Sequence, residues 1–167
     1  MRIASKLLRL TVGALFFGHG TQKLLGWFGG AGLDATAETF AKLGLHPGRR
    51  NAIAAGAAEA GGGALLASGV ATPVAASVLT ATMLTAIDRI HARNGPWLTN
   101  GGYEYNLVLI AAVLALAESS GHRHGSHRAL AALIAGAAGA LGVRLAAASA
   151  APVAPAAQEG RERVGTS

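Results

Sequence analysis

Long apolar segments recur along this chain, and they restrict its fold more than any other feature. An α-helix rises about 1.5 Å per residue, so about 20 apolar residues are needed to cross a hydrocarbon core about 30 Å thick. Four segments have or approach that length, at about residues 6–28, 51–71, 73–91 and 103–118. Because lipid offers the backbone no hydrogen bonds, the pattern predicts an all-α membrane protein, an antiparallel four-helix transmembrane bundle.

The composition supports a membrane protein and excludes several kinds of chemistry. Hydrophobic residues make up 51% of the chain and charged residues 13%, about half the charged share of soluble domains. The net charge of +6 comes from basic residues beside the apolar segments, without interleaved aromatics. That arrangement favours the lipid bilayer over nucleic acid as the partner. The chain has no cysteine, so any redox role needs a bound cofactor or a partner protein.

The first and last segments need separate interpretation. The first begins with basic residues, as a signal peptide does, but it lacks an A-x-A cleavage site and is interrupted by polar residues, so it is interpreted as a retained span. Residues 129–151 are rich in Ala and Gly and contain Arg144, and a central arginine costs about 2.5–3.5 kcal/mol on insertion scales. This candidate fifth C-terminal helix either crosses the bilayer or lies on the surface or on the bundle.

The predicted organisation is therefore a bundle over residues 1–120, a polar loop and helix over 121–151, and a disordered tail over 152–167. Residues 69–72 form a tight uncharged turn, which makes the second and third spans a hairpin. Residues 29–50 carry apolar residues at near-helical spacing and predict a short amphipathic helix at the interface (Leu33, Ala37, Phe40, Leu43). The basic residues of the tail tip the charge balance, which places both termini in the cytoplasm.

Ionisable side chains inside the apolar segments are the first candidates for chemistry, because burying a charge in lipid is costly. Antiparallel geometry brings them to one leaflet, the one opposite the amino terminus. The candidates for ligand binding or proton handling are His19, Gln22, Lys23, Glu59, Asp88 and Glu104. Lys23 is expected within direct or water-bridged reach of Glu59, since each would otherwise be an uncompensated charge. Two interpretations stay open, a polar clamp that fixes helix register and a direct role in ligand or proton handling.

Two further patterns are weaker. Gly56, Ala60, Ala64 and Ser68 form a ridge of small residues on the second span, which favours close approach of a neighbouring helix. Three histidines are spaced H-x-H-x-x-H and are weak candidates for a transition-metal site, although a solvated loop is the more common meaning of such spacing (His122, His124, His127).

Four stretches of the chain resemble the DoxX family of small bacterial membrane proteins over about residues 1–120. They are FFGHGTQKL at 16–24, GWFGG at 26–30, Glu59 followed by GGG at 61–63, and GYEYNL at 102–107. The resemblance implies a four-helix bundle in the bacterial inner (plasma) membrane, often associated with oxidoreductases. One branch is similar to the membrane subunit of thiosulfate:quinone oxidoreductase. Another is linked to a superoxide dismutase and a sulfurtransferase-like protein as partners.

Two hypotheses about function follow from the resemblance and the polar residues. In the first, the chain is the membrane subunit of a redox complex and binds quinone near His19, Lys23, Glu59 and Glu104. In the second, it is a non-enzymatic scaffold or assembly factor, and the same residues only hold the bundle together. Independent catalysis is not expected of either, and if the chain is enzymatic it acts as part of a quinone-linked oxidoreductase. No catalytic residue is assigned.

Overall fold

A computed structural model describes residues 3–120 and 125–149, and this part of the chain is all-helical, without strands. Its α-helices are α1 Ile3–Leu25, α2 Gly32–Lys42, α3 Gly48–Ser68, α4 Thr72–Ala86, α5 Glu104–Ser119 and α6 Gly125–Ser149. Helix α4 continues through a π-helical turn at Ile87–His91 and a 3-10 turn at Ala92–Asn94. The predicted all-α class is confirmed. The predicted disordered tail lies outside the described residues.

Two of the described helices are long and apolar enough to cross a membrane, Thr72–Asn94 and His127–Ser149. The second lies in the Ala/Gly-rich segment, for which the sequence left open whether it crosses the bilayer or lies on the surface or on the bundle. The four predicted spans are not confirmed as a set. Helices α1 and α3 carry several charged residues, and α5 has 16 residues, which corresponds to about 24 Å of helix.

Helices α1 and α3 approach each other closely because both present glycines at the contact. A Cβ atom added to Gly20 would overlap the backbone nitrogen of Ala60 and lie 2.5 Å from the carbonyl oxygen of Gly56. One added to Gly13 would lie 2.7 Å from the carbonyl oxygen of Gly63. Real Cβ atoms do not approach backbone so closely, so this packing requires glycine at both positions of α1.

The small-residue ridge on α3 was predicted correctly in its first half and wrongly in its second. Ala64 and Ser68 are exposed, and Gly63 and Ala67 contact α1 in their place. The reason is helical geometry. A step of four residues turns the helix by about 400°, so a row kept at four-residue spacing rotates away from a straight neighbour.

The remaining helices enclose a core and gather several chain segments at one end of the bundle. The core contains Phe16 of α1, Leu66 of α3, Leu79 of α4, and Val113 and Leu116 of α5, none more than 1% exposed. The predicted amphipathic segment forms α2, which packs on α3. Because neighbouring helices are antiparallel, the ends of α1 and α4 and the starts of α3 and α5 lie at the same end, called here the site end.

A pair of glycine substitutions tests the contact between α1 and α3. Gly20→Ala should lower the thermal unfolding midpoint in detergent, because overpacking of this kind costs about 1–3 kcal/mol. Gly18→Ala is the matched control, since a Cβ there has nothing within 4 Å. It should leave the midpoint unchanged or raise it, because alanine favours helix over glycine by up to about 1 kcal/mol. Equal midpoints for the two variants would contradict the described packing.

Candidate functional site

The centre of the site is an ion pair between α1 and α3. Lys23 Nζ lies 2.6 Å from Glu59 Oε2 and donates a hydrogen bond to it. The Glu59 side chain is 6% exposed and that of Lys23 27%. Each charged residue follows a contact glycine by three positions, Lys23 after Gly20 and Glu59 after Gly56, so the close approach of the helices brings the pair together. The prediction that Lys23 and Glu59 lie within direct or water-bridged reach is confirmed, and the contact is direct.

A cavity of about 520 Å³ lies beside this ion pair, and His19, Lys23 and Glu59 all line it. Much of the remaining wall is apolar and comes from several other elements, including Leu45, Val78, Met83 and Leu109. A volume in the range of about 300–1,000 Å³, with few polar groups in an apolar lining, is typical of small-molecule sites. The bundle is therefore not closed tightly around the charged residues.

Sequence reasoning missed other polar residues that line the cavity. Arg89 and His91 come from the π-helical turn of α4, and Asn106 comes from α5. Arg89, Ile90 and His91 of this turn all line the cavity. The sequence gives no signal for this turn. Asn106 could have been suspected, because it is a polar residue in the first turn of a strongly apolar helix.

Asp88 lies at the site end but does not line the cavity. Its Oδ2 atom is 3.1 Å from Nε of the adjacent Arg89, and its Oδ1 atom is 3.5 Å from Nη1 of Arg144. Asp88 thus connects α4 to α6. This connection gives an acidic partner to Arg144, the charged residue that makes membrane insertion of α6 costly. The Arg144 side chain is 68% exposed.

Two other candidates have local partners. Glu104 Oε1 accepts a hydrogen bond of 2.6 Å from the backbone N–H of Leu98, which ties the start of α5 to the preceding loop. Gln22 Nε2 donates one of 3.4 Å to the carbonyl oxygen of Phe28. Neither residue lines the cavity, so the structure separates them from His19, Lys23 and Glu59.

The histidine cluster falls mostly outside the described residues, which exclude His122 and His124. His127 lies in the first turns of α6 and is exposed. Among residues 3–120 and 125–149, no group of three or more His, Cys, Asp or Glu residues is placed to hold a metal ion. The metal hypothesis for this cluster stays a prediction.

A double-mutant cycle tests whether Lys23 and Glu59 depend on each other. Removing one partner of a buried pair lowers the free energy of unfolding by about 3–5 kcal/mol. For Lys23→Met we expect a loss of about 3 kcal/mol, because this lysine is partly exposed. Glu59→Gln should cost less, since Lys23 can turn toward solvent. The double variant should be more stable than Lys23→Met alone, as measured by thermal unfolding in detergent.

The exposed ion pair of Arg49 and Asp34 provides the control, with side chains 63% and 87% exposed. Exposed pairs contribute about 0–1 kcal/mol, so the cycle of Arg49→Met and Asp34→Asn should show little coupling. Additive effects in the Lys23–Glu59 cycle would mean that the buried pair is not energetically coupled.

The chain is similar to a known protein family and to a named relative. The DoxX family model matches residues 4–92, more than half of the chain. A curated relative, "Putative oxidoreductase CatD" of Bacillus subtilis (strain 168), is 32% identical over 117 residues, which cover 70% of this chain and 81% of the relative. No solved structure matches significantly. The chain belongs to the DoxX family.

Proposed function

We propose that this chain is an integral membrane subunit of a redox complex and binds the ring of a quinone in the cavity beside Lys23 and Glu59. The observation that carries the proposal is that a buried ion pair forms part of the wall of a large, mostly apolar cavity. The similarity to a relative named as an oxidoreductase supports a redox-associated role.

The chemistry of the cavity wall suits a flat apolar ring that carries carbonyl oxygens. An ammonium group has three N–H donors, and Lys23 uses one of them on Glu59. Its other donors are available to a quinone oxygen. His19, which also lines the cavity, can donate a hydrogen bond or exchange a proton there. Reduction of a quinone to a quinol takes up two electrons and two protons, and the electrons would come from a partner protein.

The proposal includes a location and a class of partner. The chain would sit in the bacterial plasma membrane with its amino terminus in the cytoplasm, which places the site end in the outer leaflet. Candidate partners are soluble redox proteins, such as a superoxide dismutase or a sulfurtransferase-like protein. Family membership and the apolar helices α4 and α6 support the membrane location.

The alternative is a scaffold in which the ion pair only holds α1 against α3. That role is favoured by the position of the pair, which continues the glycine contact between these helices. A scaffold needs no opening beside the pair, however. A cavity of about 520 Å³ at this place loses the dispersion contacts that a tighter core would make. The cavity therefore favours ligand binding over the scaffold.

Binding of a short-chain quinone to the purified protein tests the proposal. His19→Ala should weaken binding between about twofold and tenfold, the effect of losing a hydrogen bond worth about 0.5–1.5 kcal/mol. His46→Ala is the control, because His46 is exposed, as His19 is, but does not line the cavity beside the ion pair. Equal affinity in wild type and His19→Ala would remove His19 from the site. Absence of binding to wild type would favour the scaffold.

A further inference from the structure

We propose that the ligand carries a long apolar chain and that α6, through Gly139 and Val143, forms the part of the site that holds this chain. The inference rests on the proposed function, and it adds the substrate class, a membrane-dissolved isoprenoid quinone. Helix α6 lies beyond residues 4–92, the part matched to the family model.

The first support is the extent of the cavity. Along α4 it is lined from Val78 to His91, a distance of about 20 Å at the helical rise. A single ring is shorter than this in any orientation. The cavity wall includes residues of both α1 and α6, which pack mainly on different helices, α1 on α3 and α6 on α4, although both also contact α5.

The second support is the division of polarity across the cavity. On the side of α1 and α3, the wall includes His19, Lys23 and Glu59. Helix α6 contributes Gly139 and Val143 to the wall, and Val78 and Ala81 of α4 are apolar as well, whereas the polar residues Arg89 and His91 line the cavity at the site end of α4. A ligand with a hydrogen-bonding ring at one end and an apolar chain at the other complements both sides.

The third support is an opening to the outside of the bundle. Ala54 of α3, Val78 of α4 and Gly139 of α6 all line the cavity and are also exposed on the surface. A second cavity of about 440 Å³ adjoins the first, since both are lined by Gly139 and Val143, but His46, Arg50 and Asn51 make its wall partly polar. In a bilayer, an apolar chain could instead pass into the lipid past the exposed residues Val78 and Gly139.

The width of the passage depends on small side chains of α6. Helix α6 packs closely on α4, because Gly136 meets Thr80 and a Cβ on Gly139 would lie 3.2 Å from the Cβ of Ala81. A larger residue at Gly139 would extend into the passage. Val143, one helical turn further along, is half-buried and can be enlarged without a glycine being replaced.

The test measures the affinity for two probes in lipid nanodiscs, menadione and the same naphthoquinone ring carrying an isoprenoid chain. Wild type should bind the chain-bearing quinone more tightly. Gly139→Leu and Val143→Phe should each lower that affinity by about tenfold, the effect of keeping about two methylene groups from burial, and leave menadione binding unchanged. Ala137→Leu, on the exposed face of α6, should behave as wild type.

Three outcomes would overturn the inference. If both cavity variants bind the chain-bearing quinone as wild type does, the chain leaves elsewhere, although the proposed quinone site would stand. If both variants weaken the two probes equally, α6 only supports the fold. If wild type binds neither probe, the proposed function fails together with the inference. Val143→Phe keeps the test valid if Gly139→Leu does not fold.

Discussion

The Glu59 carboxylate is almost completely removed from solvent, and the ammonium group of Lys23 is the charge that balances it. Burying an unpaired ion costs several kcal/mol, so the position of Lys23 is a condition for the fold of this region. That position depends in turn on glycines, which let α1 and α3 approach until the two side chains meet. Backbone packing and charge pairing thus support each other at one contact.

The two partners of this pair differ in exposure, and the difference matters for function. Glu59 is enclosed, whereas more than a quarter of the Lys23 side chain is accessible and lies on the cavity wall. An enclosed acid that fixes an accessible donor is an arrangement suited to holding a polar ligand atom. The opposite wall belongs to α6, which is joined to α4 by Asp88 and Arg144 and by close glycine contacts.

The sequence predicted the helices and the meeting of Lys23 with Glu59 because both follow from simple constraints. Apolar length gives the helices, and antiparallel order places their ends. It could not predict the π-helical turn at Ile87–His91, which contains two residues of the cavity wall, Arg89 and His91. It could not separate Asp88 from the cavity either, because the partner of Asp88 lies on a helix whose placement was open. Four membrane spans were predicted from apolar character, and two helices meet the stricter requirement of length and low charge.

Photolabelling with an azido-substituted quinone would show where the ring binds, because it locates the ring without relying on changes in affinity. The protein would be labelled in membranes, digested and mapped by mass spectrometry. We expect covalent labelling in the second half of α1, around His19 and Lys23, and in α3 between Asn51 and Glu59, with protection by excess unlabelled quinone. Labelling confined to exposed residues of α1 away from the cavity, such as Leu10 and Leu15, without protection, would contradict a quinone site beside the ion pair.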